Sequence, residues 1–243
     1  MDTKRHLIME FANPIRIEIL QQLNYASFSF TSLSKKLNIS NSEVSRHLNR
    51  LIEQRLVQKE RGSKKLILTS FGELMITAFA PLDFILHHAE YFQEHGLFNL
   101  PTSFIRDLDQ LSDSELIQGT GNVMLKLQEI TEALKEEVWV MTDQAFPFGK
   151  QMMDTRYIVP PEMAKYRPHI KDYNRSTVAR VLPHISTAVL IADGETGVLF
   201  FPDNHGNPEF SQGFYVKKED KLGLEYILRL WGHYWEKGEV VSE

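Results

Sequence analysis

The residues whose types and spacing suit a definable chemistry lie between positions 31 and 65. Val44, Leu48, Leu51 and Ile52 fall at i, i+4, i+7 and i+8. A helix here turns them inward and leaves Asn41, Ser42, Ser45, Arg46, Asn49 and Arg50 at its outer and N-terminal positions. That set matches nucleotide edges. A guanidinium donates a parallel pair of hydrogen bonds to guanine O6 and N7, and a carboxamide pairs with adenine, each contact contributing about 1–3 kcal/mol of discrimination. Arg46 and Asn49 are the expected base readers, with Ser42 and Ser45 on phosphate or reading weakly. Upstream, Thr31, Ser32 and Lys35 open a short helix whose N-terminal dipole suits a backbone phosphate. Downstream, Arg61, Lys64 and Lys65 crowd one turn and suit phosphate or the minor groove. A polar helix face also occurs as plain solvated surface, so the elements around it must decide.

Those elements follow in a recognisable order. Asn13-Pro14 offers an N-cap and a proline in the first turn of a helix carrying Ile19, Leu20 and Leu23. After a loop around Tyr25–Phe30, Thr31 is placed to cap a second helix with Leu33 and Leu37. Ser40 and Glu43 have the spacing of a capping box at the start of the third. The period then changes. Val57–Glu60 and Leu66–Thr69 read as strands joined by the cationic turn Arg61–Lys65. Three short helices and a basic-tipped hairpin are the layout of a winged helix-turn-helix, whose third helix fits the major groove of B-DNA.

Beyond it, residues 70–98 read as helix with more apolar surface than an isolated helix tolerates, and Pro81 is expected to kink or divide it. Residues 101–243 mix periods. Val123, Leu127, Ile130 and Leu134 mark a helix running into the buried-strand pattern Val138–Met141. Arg156–Val159, Val178–Leu182, Thr187–Ala192, Val198–Phe201 and Gly213–Val216 follow as strands, with a hairpin turn at Asp193–Gly197. A last helix carries Leu224, Ile227, Leu228, Trp231, Tyr234 and Trp235, whose aromatics read as core or interface. The expected fold is α+β and two-domain. Residues 1–72 form a winged helix domain of three helices plus hairpin, 73–98 a helical linker that dimerises, and 99–243 an α/β effector or assembly domain.

Composition narrows the function. The chain has 243 residues and no cysteine, which removes disulfides, thiolate metal sites and cysteine nucleophiles together. Met1–Arg5 leads into no long apolar run, and Leu74–Leu86 is too short to span a bilayer, so the expectation is a cytoplasmic protein without membrane contact. The net charge of −5 hides an asymmetry. Residues 1–70 hold 12 Lys/Arg against 6 Asp/Glu, while the remainder holds 15 against 26. A single basic segment on an acidic chain suits docking on phosphate at one place rather than indiscriminate coating.

Two resemblances extend this reading. Ala12–Leu23, Leu37–Leu51, Leu56-Val57 and Leu68–Gly72 resemble the opening helix, the turn and recognition helix, and the wing strands of ArsR-type winged helix regulators. The remainder resembles the archaeal methanogenesis regulatory protein family at Leu100-Pro101 with Phe104 and Leu108, at Arg156–Glu162, at Arg180–Pro183 and at Val198–Gly206. The aromatic ending Leu230-Trp231-Gly232-His233-Tyr234-Trp235-Glu236-Lys237 is the most distinctive piece. The resemblance implies an archaeal transcriptional regulator with an α/β effector or assembly domain.

Three other chemistries have residues to consider in this chain. His87, Glu90, Glu94 and His95 fall at i, i+3, i+7 and i+8, a spacing for metal ligands on one helix face, as in an ArsR-like metal sensor; a solvated polar face is the better reading. Nothing matches a P-loop, GxGxxG after a strand, GxSxG, HExxH or His-x-Lys, so no enzyme and no cofactor is expected. For a small-molecule effector, the ends of parallel strands are favoured. Asp143 and Gln144 lie just past one strand, and Arg156, Arg180 and His184 lie in or near others, where arginine suits an acidic ligand. The expected partner is double-stranded DNA, bound by a homodimer on a pseudo-palindromic operator. The competing class is a winged helix that docks on a protein instead.

Overall fold

In the computed structural model, residues 2–144, 154–164 and 176–240 are described. The chain divides into two compact units, Met1–Ala80 and Pro81–Glu243. The first is a winged helix-turn-helix, and the second is built on a larger mixed sheet, an α+β arrangement.

In the first unit, α1 (Asp2–Phe11), which the sequence reading did not anticipate, precedes α2 (Pro14–Tyr25). Asn13 caps α2 as expected, its Oδ1 accepting from Arg16 N at 3.1 Å. The next segment departs from expectation twice. Phe28–Ser29 is not loop but a short strand, β1, pairing with Leu66 and Lys65. The cap of α3 (Phe30–Leu37) is Ser29 rather than Thr31, because Ser29 holds the extended backbone a cap requires and accepts from Ser32 N at 3.2 Å. Asn38 ends α3 in the left-handed region at φ 53°, and α4 (Asn41–Glu53) follows. β2 (Val57–Lys59) and β3 (Lys65–Leu68) form the wing, so the small sheet has the order β1-β3-β2, all antiparallel. Ile19, Leu20, Leu33, Val44, Leu51 and Leu56 are fully buried at its centre.

α5 (Ser70–His87) contains Pro81 without being divided by it. The helix ends instead at His88, before α6 (Ala89–Glu94). The segment 73–98, expected as one linking element, is shared between the two units. Met75, Ile76 and Phe79 pack in the first core, whereas Phe84, Tyr91 and Phe92 pack in the second.

The second unit continues through α7 (Thr102–Arg106), a 3-10 turn at Leu108–Leu111, β4 (Glu115–Gln118), α8 (Thr120–Ala133), β5 (Glu137–Met141), β6 (Asp154–Val159), α9 (Pro161–Ala164), β7 (Ser176–Val181), β8 (Ala188–Ala192), β9 (Thr196–Phe200), β10 (Gln212–Val216), α10 (Lys221–Lys237) and β11 (Glu239–Val240). Its eight strands are ordered β11-β7-β6-β5-β8-β9-β10-β4. β5, β6 and β7 run parallel to one another, and the remaining pairings are antiparallel. Both faces are covered, which explains why the strands read as unbroken apolar runs. Val189 and Ile191 of β8 face the layer of Tyr226, Ile227, Leu230 and Trp231 from α10. Ala188, Leu190 and Ala192 face Val123, Leu127 and Ile130 from α8. The Asp193-Gly194 turn is left-handed at both residues (φ 52° and 65°), as a tight right-twisted hairpin requires. Among the described residues no helix is long and apolar enough to cross a membrane.

Phe214 of β10 gathers the rings of Phe84 (5.5 Å), His88 (5.0 Å) and Tyr91 (5.0 Å), seating residues 84–92 in the second core. Burial holds the His88 imidazole below its ordinary pKa. Phe214→Ala removes a fully buried ring, and the expected cost is about 3–5 kcal/mol, read as an earlier urea midpoint for the full chain. An unchanged midpoint would exclude this cluster from the core.

Candidate nucleic-acid interface

The outer face of α4 is set by how the helix is nailed down at both ends. At its start Ser40 and Glu43 close a capping box: Ser40 Oγ accepts from Glu43 N and Ser40 N donates to Glu43 Oε2, both at 3.3 Å. These bonds from Ser40 hold the Glu43 carboxyl below its usual range. Ser34 Oγ donates to Ile39 O at 2.7 Å and fixes the turn before the helix. Along α4 the buried side chains are Val44, His47, Leu48 and Leu51. Ile52 does not join them: it is 38% exposed, and His47 takes the fourth inward place. Arg46 Nη2 donates to His47 Nε2 at 3.5 Å, since a guanidinium has no acceptor. Burial, and then the charges of Arg46 and Arg16, depress the imidazole pKa, so His47 is neutral at pH 7.

Asn41, Ser42, Arg46 and Asn49 are exposed together and Ser45 is half-buried. Ser42 Oγ is also 3.0 Å from Ser40 Oγ. Arg50 differs from expectation. Its Nε and Nη2 donate to Glu10 Oε1 at 3.3 and 2.9 Å, so its guanidinium is committed to the chain's own carboxylate. Glu10 is completely buried and also pairs with Arg16, Nε to Oε2 at 2.7 Å. Arg16 Nη2 donates to Met9 O at 2.6 Å. Burial lowers the Arg16 pKa, and the bond to Glu10 raises that of Arg50. Glu10 escaped the sequence reading because its partner Arg50 is 40 residues away.

Around this face Thr31, Ser32 and Lys35 are exposed at the start and outer side of α3. The Ser32 hydroxyl already donates to Ser29 O at 2.9 Å. Arg61, Lys64 and Lys65 are exposed at the wing tip, where Gly62 turns at φ 73° and Lys65 N donates to Ser63 Oγ at 3.1 Å. Lys36, Arg55 and Lys59 are further exposed cations of this unit. Lys36 and Lys59 could have been found by their adjacency to Lys35 and the wing.

The five effector candidates do not converge. Asp143 and His184 line one cleft in the second unit. Gln144 is exposed beside it and its N–H donates to Thr142 Oγ1 at 3.0 Å. Arg156 lies 4.9 Å over the Trp139 ring and pairs with Glu137 at 3.6 Å. Arg180 lies 4.7 Å over Trp235 and donates to its carbonyl at 2.6 Å. Both arginines make contacts within the chain itself. The helical spacing of His87, Glu90, Glu94 and His95 is interrupted at His88, and His95 turns inward to stack on Tyr91 at 3.9 Å. Among the described residues no group of three or more His, Asp or Glu is arranged for a metal ion.

Residues 13–59 match the family described as bacterial regulatory protein, arsR family, and over that stretch the chain is similar to its helix-turn-helix domain. No curated protein matches the chain. Among solved structures, TrmBL2, an archaeal chromatin protein, is 15% identical over 88% of each chain, with a TM-score of 0.38. HlyU from Vibrio cholerae is 26% identical over 33% of this chain and 91% of its own, at 0.30. The homodimeric winged helix-turn-helix DNA-binding domain of Mb0332 from Mycobacterium bovis is 18% identical over 39% of this chain and 89% of its own, at 0.33. Scores this low carry no weight for the overall fold.

Glu10→Ala strips the buried Arg16 of its counter-charge. The expected loss is about 3 kcal/mol in urea unfolding followed by helical circular dichroism. A loss below about 1 kcal/mol, the scale of an exposed ion pair, would show that this carboxylate does not hold the unit together.

Proposed function

We propose that this chain is a sequence-specific DNA-binding transcriptional regulator that works as a homodimer on a pseudo-palindromic operator, with a second unit that senses an effector or mediates assembly. The observation that carries the reading is the α4 surface. Arg46 and Asn49 stand exposed on the helix that belongs to the ArsR-family match, opposite the stripe of Val44, Leu48 and Leu51 that fixes it. In this reading Arg46 and Asn49 meet base edges. Asn41, Ser42 and Ser45 meet bases or phosphate at the helix start, while Thr31, Lys35, Arg61, Lys64 and Lys65 meet phosphate on either side. Arg50 serves as an anchor through Glu10 and touches DNA, if at all, only from that fixed position.

A lone winged domain buries a modest interface, so useful affinity calls for two half-sites about one helical turn apart. Support for a dimer comes from α5, which leaves Leu74, Leu82 and Leu86 exposed at 64%, 49% and 56%. Ile85, by contrast, packs against the core of its own unit. The placement with the archaeal methanogenesis regulatory proteins rests on the sequence resemblance of the ending 230–237.

Arg46→Ala is expected to relax base preference by about 1–3 kcal/mol, measured as the ratio of specific to random duplex affinity; equal losses on both duplexes would remove its reading role. Lys64→Ala is expected to weaken all sequences alike and to shallow the log–log salt slope by about 0.9. Binding indifferent to salt would point to a protein partner instead. In sedimentation, Leu82→Glu should halve the mass of the assembly, and an unaltered mass would take α5 out of the interface.

A further inference from the structure

We infer that the cleft at the carboxyl ends of β5, β6 and β7 binds a small organic cation, an ammonium group on a short apolar body. This goes beyond the DNA reading and does not depend on it. Because the three strands are parallel, their carboxyl ends lie along one edge of the sheet, the edge where ligands of open sheets collect. Asp143 follows β5, Glu162 follows β6 and His184 follows β7. Phe98, His205 and Asn207 complete the opposite wall of a cleft of about 350 Å³, a size that holds a small ligand.

The charge of the lining selects the ligand. Asp143 and Glu162 are both carboxylates, and among the described residues no lysine or arginine lines the cleft. Asp143 Oδ1 is shielded from solvent without a hydrogen-bond partner. Burial raises its carboxyl above the usual pKa, and the charge of Glu162 raises it further, so the two carboxyl groups repel one another. A cation relieves that repulsion; an anion adds to it. With no three-ligand group for a metal among the described residues, an organic cation fits better than a metal ion.

The apolar wall is built to receive it. Phe98 is 43% exposed, yet its ring is not loose. It lies against the backbone at Gly96 and Gly206, where a Cβ would strike the ring or press on it. Its carbonyl accepts from Ser186 Oγ at 3.0 Å. Asp203 fixes the facing loop by accepting from His205 N (2.8 Å), Asn207 N (2.9 Å) and Asn207 Nδ2 (3.1 Å). A fixed aromatic face beside two carboxylates is the surface that attracts ammonium groups.

The test is calorimetric titration of the full-length protein, without DNA, with choline, ethanolamine and putrescine. 3,3-Dimethylbutan-1-ol serves as the neutral isostere of choline, succinate as the anion, and Zn²⁺ and Mg²⁺ as metal ions. At least one ammonium compound should bind, and for choline the neutral isostere should be about tenfold weaker or worse. E162Q, D143N and Phe98→Ala should each weaken the bound ammonium compound about tenfold, with melting curves confirming that each variant folds. The exposed Glu162 leaves E162Q informative should D143N fail to fold. Affinity should also fall as the pH is lowered and Asp143, whose pKa is raised, protonates. Binding by none of the three amines, preference for succinate or a metal ion, an isostere equal to choline, or indifference to E162Q would overturn the proposal. None of these outcomes bears on DNA recognition.

Discussion

A carboxylate with no access to solvent governs the first unit. Glu10 meets two guanidiniums, Arg16 from the start of α2 and Arg50 from the last turn of α4. Desolvating Glu10 and Arg16 is costly, and the arrangement persists only because the two are paired at 2.7 Å while the half-exposed Arg50 adds a second guanidinium to the carboxylate. The consequence is geometric. α1, α2 and α4 meet at one ionic point, so the helix that presents Arg46 and Asn49 is held at its far end by charge and at its near end by the Ser40–Glu43 box. Between these points the stripe of Val44, His47, Leu48 and Leu51 prevents rotation about the helix axis. Arg46 and Asn49 are thus presented from a helix fixed at both ends and along its inner face.

The same economy of charge runs through the surface. Of the cations between 31 and 65, the half-exposed Arg50 pairs with Glu10, whereas Lys35, Lys36, Arg46, Arg55, Lys59, Arg61, Lys64 and Lys65 are exposed. The exposed set is sufficient for several phosphate contacts, while the strongly acidic remainder of the chain opposes adhesion elsewhere. In the second unit arginines are spent on aromatic faces, Arg156 on Trp139 and Arg180 on Trp235, and among the described residues of its cleft stand the carboxylates Asp143 and Glu162. Ligand preference there is set by which charges the fold has already neutralised.

Much of this was legible from local pattern. The N-cap at Asn13, the capping box at Ser40, the wing between Val57 and Leu68, the helix before Val138 and the hairpin at Asp193 all rest on interactions within a few residues, and each stands where the spacing placed it. Local pattern failed where a distant partner decided. Phe28–Ser29 became a strand because β3 offered an edge, and that pairing moved the cap of α3 from Thr31 to Ser29. Ile52 and His47 exchanged places because the apolar stripe is only as wide as the surfaces of the neighbouring helices allow.

By itself, then, the sequence determined which segments are helix or strand, where the basic patch lies, and which side chains of 41–50 are able to face a groove, because these follow from helical period and near-neighbour hydrogen bonds. Only the tertiary structure decided which of those charges remain available. Arg50 was paired with Glu10, Arg156 and Arg180 were laid over tryptophans, and Asp143 and Glu162 came to line one cleft. The physical reason is that a charge is neutralised by whatever lies within a few ångströms of it, and chain separation sets no limit on that proximity.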